Sequence, residues 1–229
     1  MKIWYRNAEI GASDGIIVLQ EFMTYSLVIF DFDGTLADTM PFMLGLADEL
    51  ADKHHLPRLD KNNIQLLKGL NAANFMKLHN IPLWKVPILA AEIQSMMYEN
   101  ISQVRLFEGI EELLRELSRQ GVQIAVVSSN ALKNVKEVLG EELTGLISFF
   151  ECGVSMFGKA EKLSRVIKFS GKPASQALSI GDEIRDIEAA RKAGIPCAAV
   201  SWGFSSRTAL ESLRPDHLFD VVEQLNQVI

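Results

Sequence analysis

The chain has 229 residues, which is long enough for a core domain with an insertion, and its 48% hydrophobic content is typical of a well-packed globular protein. A net charge of −6 without a dense run of lysine and arginine argues against nucleic acid as the main partner. The longest apolar runs are only as long as strands, so no membrane-spanning helix is predicted. Cys152 and Cys197 lie far apart without a CxxC motif, and we expect both to be reduced in a cytoplasmic protein.

Residues 1–22 are predicted to form an N-terminal extension outside the main fold. Residues 15–19 are apolar, but Gln20 and Glu21 end the run and no small-residue cleavage site follows, so the segment makes a poor signal peptide. Met23 stands just before the first predicted strand, as a natural start would. We therefore expect residues 1–22 to be an appended tail or the result of a misassigned start. The competing interpretation is an extra edge strand or dimer contact built from residues 15–19.

Two aspartates directly follow the first predicted strand. Residues 26–30 are a short apolar run that predicts a strand buried on both faces. Asp31 and Asp33 come next, and Gly34 allows the chain to turn sharply behind them. Two like charges this close are costly to bury unless a cation or a proton intervenes. The pattern therefore indicates a metal site, a nucleophile or both, whereas a solvated turn is the simpler alternative.

Residues 40–104 are predicted to be a helical insertion. Pro41 lies near the start of a first amphipathic helix, in which Phe42, Leu46 and Leu50 recur at four-residue spacing. Further helices are predicted over residues 64–70, 74–79 and 84–101.

Alternating helices and strands follow the insertion. A helix is predicted over residues 108–120, a strand over 123–127, and another strand near 149–154 that leads to Lys159 at the start of a helix. A strand at 177–180 precedes a helix at 184–193. Such alternation predicts a parallel sheet with helices on both faces.

Chemically active side chains stand where these strands end. In open α/β sheets, ligands bind outside the carboxyl ends of the strands. The sequence therefore predicts one site that gathers Asp31, Asp33, Ser128, Lys159, Asp182 and Asp186.

Four motifs then resemble the haloacid dehalogenase superfamily, closest to its phosphoglycolate phosphatase-like members. They are DFDGTLADT at 31–39, VVSSN at 126–130, GKAEKL at 158–163 and GDEIRDIEAARKAG at 181–194, in the family's order. The likeness runs from about Met23 to the end of the chain. It implies a Rossmann-like α/β core of residues 23–39 and 105–229, with a small C1-type helical cap of residues 40–104.

The resemblance also implies a phosphatase that hydrolyses a small phosphomonoester of a phosphorylated metabolite. Asp31 would be the nucleophile and would form an aspartyl-phosphate. Asp33 would protonate the leaving oxygen and then activate water. Ser128, Ser129 and nearby backbone N–H groups would bind the phosphoryl oxygens, and Lys159 would offset the charge that gathers on nucleophile and phosphate.

The implied cofactor is Mg²⁺. Its ligands would be Asp31, the backbone carbonyl of Asp33, and Asp182, with Asp186 supporting them from behind. Glu183 remains open between holding a metal-bound water and facing solvent.

Simpler interpretations exist for three of these residues. Lys159 could be a solvated lysine in the first turn of a helix, Ser128 a helix N-cap, and Asp186 an exposed carboxylate.

The presence of Asp33 argues against some competing functions but not against others. A dehalogenase makes no alkoxide that needs a proton, and the phosphonate-cleaving relatives replace this aspartate, so Asp33 argues against both. A sugar phosphomutase uses the same two aspartates and remains an alternative, as does a non-catalytic interaction protein on this fold. The substrate and the oligomeric state are not predicted.

Overall fold

The computed structural model describes residues 25–70, 72–153 and 158–227. The predicted N-terminal extension, residues 1–22, and Met23 lie outside the described residues. The prediction for the extension therefore stays a prediction.

The core is a six-stranded sheet in the order β5-β4-β1-β6-β7-β8, in which every neighbouring pair is parallel. Leu27 of the central strand β1 is in register with Gln123 of β4 and Ala177 of β6. All four residues of β1 are buried, as a continuous apolar run requires. The strands are β1 (Leu27–Phe30), β4 (Gln123–Val127), β5 (Phe149–Glu151), β6 (Ala177–Gly181), β7 (Cys197–Val200) and β8 (His217–Phe219).

Helices cover both faces of this sheet. Val28 and Phe30 of β1 pack into one hydrophobic cluster, whereas Leu27 and Ile29 pack into another, because successive side chains of a strand point to opposite faces. Helix α5 packs in the first cluster, and α7 and α8 pack in the second. The helices of the core are α5 (Ile110–Arg119), α6 (Leu132–Leu146, interrupted at Gly140), α7 (Lys159–Ser170), α8 (Ile184–Ala193) and α9 (Arg207–Ser212). The predicted α/β fold with a parallel sheet is confirmed.

Residues 40–104 form an insertion that we call the helical segment. The chain leaves the core and returns to it at adjacent points. Strand β2 (Ala37–Asp38) pairs antiparallel with β3 (Arg105–Leu106) at its two ends. Between them, the described residues form helices but no strand. These are α1 (Met40–His54), α2 (Ile64–Lys68), α3 (Ala72–Leu78) and α4 (Val86–Glu99), with short 3-10 turns at Lys61–Asn63, Leu83–Lys85 and Ile101–Gln103.

Two smaller sequence expectations concern the whole chain. Among the described residues, none of the helices is both long and apolar enough to cross a membrane. Cys152 and Cys197 are free thiols, and Cys197 is buried.

Candidate active site

Asp31 is placed by the end of the central strand and is held by two donors. Its side chain is only 3% exposed. Oδ1 accepts a hydrogen bond from the backbone N–H of Phe32 at 2.8 Å, and Oδ2 lies 2.7 Å from Nζ of Lys159. Asp31 is thus buried beside a cation, while its backbone N–H continues the sheet by donating to Ile180.

The turn after Asp33 depends on a residue without a side chain. Gly34 has φ of +76°, a conformation that side chains disfavour. A Cβ atom at this position would lie 2.3 Å from Oδ2 of Asp182. The turn and the close approach of Asp182 to the backbone therefore both require glycine.

Three buried carboxylates meet at this edge of the sheet. One oxygen atom from each of Asp31, Asp182 and Asp186 can be chosen so that all three lie within 4.8 Å of one another. Asp182 accepts hydrogen bonds from the hydroxyl of Thr35 at 2.7 Å and from the backbone N–H of Phe204 at 2.6 Å. Asp186 is also buried, so the interpretation of an exposed helical carboxylate is wrong.

Lys159 lies among these carboxylates at the start of α7. Its Nζ is 2.5 Å from Oδ1 of Asp186 and 2.7 Å from Oδ2 of Asp31, and its side chain is 14% exposed. It is therefore not a solvated lysine. The second oxygen of Asp186 accepts the backbone N–H of Glu183 at 2.9 Å, so Asp186 joins the start of α8 to Lys159.

Asp33 faces the loop that follows β4. Its Oδ1 accepts a hydrogen bond from the side-chain amide of Asn130 at 2.9 Å, and its Oδ2 is 3.4 Å from the hydroxyl of Ser128. The hydroxyl of Ser128 also accepts the backbone N–H of Asn130 at 2.9 Å. The residue before α6 is Ala131, so Ser128 is not the N-cap of that helix.

Burial controls the protonation of this site. It raises the pKa of Asp31 even though Lys159 acts in the opposite direction. Burial and the neighbouring Asp31 raise the pKa of Asp33 to about 6. Burial and then Glu183 raise the pKa of Asp182. Burial also acts to lower the pKa of Lys159, but Asp186 and Asp31 outweigh it, so this pKa is raised and the ammonium is retained.

A pocket of about 230 Å³ opens in front of Asp33, between the core and the helical segment. The core contributes Asp33, Ser129, Asn130 and Phe204 to its walls. The helical segment contributes Met43, Ile93, Gln94 and Met97 among others. We call this space the active-site pocket. A ligand in it would contact both parts of the chain.

A family model described as haloacid dehalogenase-like hydrolase matches residues 28–200, more than two thirds of the chain. The chain belongs to the haloacid dehalogenase-like hydrolases. The matched region contains all six residues that the sequence predicted to converge.

Similar proteins agree with this membership. This hydrolase is 29% identical over 203 residues to a phosphoglycolate phosphatase of Synechococcus elongatus, covering 88% of this chain and 96% of the relative. It is 25% identical over 215 residues to the pyrophosphatase PpaX of Bacillus cereus, which covers 90% of this chain and 97% of the relative. A crystal structure of a predicted phosphatase from Clostridium acetobutylicum has a TM-score of 0.75 at 21% identity, covers 89% of this chain and 97% of that one, and supports the fold. The hydrolase is an enzyme of the phosphatase type.

Lys162 of the hydrolase was given no role in the sequence analysis, although it lies within the GKAEKL motif. Its side chain is buried, and Nζ donates to the backbone carbonyls of Ser128 and Gly153, both at 2.9 Å. Lys162 therefore ties the loop after β4 to the loop after β5. Its three-residue spacing from Lys159 puts both lysines on one helix face, which is the signal that could have revealed it.

Three further side chains at the site were also missed. Asn130 holds Asp33, and Arg185 lines the active-site pocket and pairs with Glu183. Gln94 of α4 donates to the backbone carbonyl of Ser129 at 2.7 Å. Glu183 is 22% exposed, so it neither faces solvent freely nor lies deep among the three carboxylates.

Proposed function

We propose that this hydrolase is a Mg²⁺-dependent phosphatase that releases phosphate from a small phosphomonoester, of the phosphoglycolate kind, through an aspartyl-phosphate intermediate. The observation that carries the proposal is the carboxylate pair at the end of β1. Asp31 is bound to Lys159, and Asp33 is bound to Asn130. A carboxylate nucleophile with an acid/base group beside it divides ester hydrolysis into two displacements.

Asp31 is the nucleophile in this proposal. Its carboxylate attacks phosphorus as the bond from phosphorus to the ester oxygen breaks, which leaves an aspartyl-phosphate and an alcohol. Lys159, whose ammonium is 2.7 Å from Oδ2, offsets the negative charge of the approaching phosphate. Without that ammonium, Arg185 in the pocket wall would be the cation left to compensate the repulsion between a phosphate dianion and the carboxylates.

Asp33 is the acid and then the base. With a pKa of about 6, Asp33 carries a proton in about a tenth of the molecules at pH 7, far more than a carboxyl group with the ordinary value of 3.8 would. It gives this proton to the departing ester oxygen, then removes a proton from the water that attacks the aspartyl-phosphate. The hydrogen bond from Asn130 fixes the orientation of the carboxyl group throughout.

Ser128, Ser129 and Lys159 are the proposed phosphate-binding residues. Ser128 is buried and lies within reach of Asp33, and Ser129 lines the active-site pocket. Lys162 and Gln94 fix the backbone of this loop through its carbonyls. The backbone N–H groups of the loop are thereby held in one orientation for the phosphoryl oxygens.

Mg²⁺ fits the carboxylate cluster. Three buried carboxylates within 4.8 Å have too few cations around them, and oxygen ligands of this kind suit a hard divalent ion. Asp31, the backbone carbonyl of Asp33, and Asp182 would hold it. Asp186, with both oxygens bound by Lys159 and the N–H of Glu183, would support the ligands from behind. When bound, Mg²⁺ would neutralise charge on the phosphoryl group.

The helical segment is the proposed cap, and residues 23–39 and 105–229 are the proposed catalytic core. Support comes from the active-site pocket, which has walls from both parts. A cap of this kind would exclude water from the ester and select its organic group. The proposed partner is a small phosphorylated metabolite, and the two free cysteines fit the cytoplasm as the compartment.

The test is phosphate release from a panel of small phosphomonoesters, with Mg²⁺ or with EDTA. We expect turnover that needs the metal and is lost in Asp31→Asn. Asp52→Asn, which alters an exposed aspartate of the helical segment, is the matched control and should keep full activity. Turnover that survives in Asp31→Asn would overturn the nucleophile assignment.

The alternatives predict different results on the same panel. A sugar phosphomutase would release little phosphate from monoesters and would instead isomerise sugar phosphates in the presence of a bisphosphate. An interaction protein would turn over nothing. Phosphate release therefore separates the phosphatase from the mutase, and turnover that is lost in Asp31→Asn separates an enzyme from an interaction protein.

A further inference from the structure

A second and larger cavity lies inside the helical segment. Its volume is about 340 Å³, and it is walled mainly by α1, α2, α3 and α4. Among its lining residues, the polar side chains are Lys68, His79, Glu183 and Ser205, and the others are apolar. Leu50, Phe75 and Leu89 are representative of the walls. We call this space the apolar cavity.

The apolar cavity adjoins the active-site pocket. Both are lined by Met43, Ile93, Glu183 and Phe204. A molecule with its phosphate at Asp31 and Asp33 could therefore extend past these four residues into the helical segment. These four side chains form the boundary between the two spaces, so the cavity is the space next to the site on the side of the helical segment.

His79 is a buried polar group in this wall that lacks a partner. Its side chain is 7% exposed, and neither ring nitrogen has a hydrogen-bond partner among the described residues. Its ring packs on that of Phe75, with the centroids 4.7 Å apart. Burying a polar atom unpaired is costly, so a largely apolar ligand that carries one polar atom opposite His79 would be favoured.

We propose that the substrate is a phosphomonoester with a largely apolar organic group of several carbons, which enters the apolar cavity. This inference rests on the proposed phosphatase activity, but it replaces the phosphoglycolate kind of substrate by one with an apolar organic group. The glycolate part of phosphoglycolate is short and charged, so it would leave the apolar walls unused. An alkyl or aryl group would instead replace water at Leu50, Phe75 and Leu89.

The test compares ethyl, butyl, hexyl and octyl phosphate with phosphoglycolate under identical Mg²⁺ conditions. Each methylene that enters the cavity should raise kcat/KM about three- to fourfold until the space is filled. We therefore expect hexyl phosphate to exceed both ethyl phosphate and phosphoglycolate by more than tenfold. Equal or better turnover of phosphoglycolate, the outcome expected if Lys68 received its carboxylate, would overturn the inference.

A bulky substitution in the cavity wall tests whether the alkyl chain binds in the apolar cavity. Ala47 lines the cavity and is 9% exposed, so Ala47→Phe should remove most of the dependence on chain length. Ala91→Phe, at an exposed position of the same helical segment, is the matched control and should preserve that dependence. Preserved dependence in Ala47→Phe would show that the alkyl chain binds elsewhere.

A binding measurement keeps the two proposals distinguishable. Hydrolysis of the esters without any dependence on chain length would leave the phosphatase assignment intact and overturn the cavity inference. If no ester is hydrolysed, calorimetric titration of alkyl phosphates into Asp31→Asn decides. If the affinity rises with chain length and falls when Ala47→Phe is added, the cavity inference is supported even though the phosphatase assignment is lost. Affinity independent of length would overturn the cavity as well.

Discussion

The side-chain amide of Gln94 donates a hydrogen bond to the backbone carbonyl oxygen of Ser129 over 2.7 Å, which joins helix α4 to the loop after β4. The backbone carbonyl of Gln94 in turn accepts the side-chain amide of Asn134 at 2.8 Å. The helical segment is therefore bonded both to the proposed phosphate-binding loop and to helix α6, which follows that loop. Phosphate binding and closure of the segment should be coupled through this contact.

Gln94→Leu tests that coupling. Loss of one hydrogen bond should weaken inhibition by inorganic phosphate and raise KM about three- to tenfold, with little change in the melting temperature. Steady-state kinetics with inorganic phosphate as inhibitor measure this effect. Gln103→Leu, which changes an exposed amide of the same segment, should leave both constants unchanged. Unchanged phosphate inhibition in Gln94→Leu would mean that the contact serves packing alone.

Asp33→Asn should separate the two chemical steps of the reaction. The variant cannot protonate an alkoxide, so turnover of alkyl phosphates should fall about 10²- to 10⁴-fold. With p-nitrophenyl phosphate, whose leaving group needs no proton, the first step should survive while water attack fails. Stopped-flow absorbance should therefore detect a burst of about one p-nitrophenolate per enzyme. Steady turnover of this ester at the wild-type rate would exclude Asp33 as the base.

Lys162→Met tests the role of a buried lysine that is not proposed to contact the substrate. Burial lowers the pKa of its ammonium, and the variant leaves the carbonyls of Ser128 and Gly153 without their donor. Each unpaired buried group costs about 1–3 kcal/mol, so we expect clear destabilisation in denaturant unfolding. Because the loop is released, inhibition by inorganic phosphate should also weaken about tenfold at a temperature where the variant is folded.

Lys168→Met, at an exposed position of the same helix, is the control for Lys162→Met and should change neither quantity. A loss of stability with unaltered phosphate inhibition would limit Lys162 to a structural role.

Metal binding should depend on pH in a defined direction. Burial raises the pKa values of Asp31 and Asp182, and that of Asp33 to about 6, above the ordinary value of 3.8. In the metal-free protein, the Asp33 contribution to stability is complete below its unfolded pKa and is lost as pH rises through about 6. Mg²⁺ needs the carboxylates of Asp31 and Asp182 in their deprotonated form, and burial raises the pKa of both, so the stabilising effect of the metal should grow as pH rises.

Thermal unfolding at pH 5 and pH 7.5 measures this linkage. At about 100-fold excess over Kd, Mg²⁺ adds about 2.7 kcal/mol, which corresponds to about 5–10 °C for a chain of this size. We expect that increase at pH 7.5, a much smaller one at pH 5, and none in Asp182→Asn. An equal increase at both pH values would contradict the assignment of these carboxylates as ligands.

The fold was predictable because apolar runs and turn residues act locally. The strand of residues 27–30 has only apolar side chains, and parallel strands of this kind are buried on both faces. The convergence of Asp31 with Asp182 was predictable for a related reason, since the carboxyl ends of parallel strands share one edge. Both inferences need only the order of elements along the chain.

Contacts between elements were not predictable in the same way. Gln94 is an ordinary amide on an amphipathic helix, and nothing in its local sequence indicates a bond to Ser129. Asn130 follows two serines in a loop, and its bond to Asp33 depends on the approach of β4 to β1. The walls of the apolar cavity likewise come from four helices whose packing the periodicity of each helix does not fix.

Because strands β2 and β3 pair at the base of the helical segment, another insertion could take the place of this segment. Asp38 and Arg105 are paired residues, so the chain departs from the core and returns to it at adjacent points. A different insertion whose two ends match this single spacing could be grafted there without moving Asp31 or the strands beside it. We therefore expect that replacing one continuous stretch of chain would change the substrate range and leave the proposed catalytic residues unaltered.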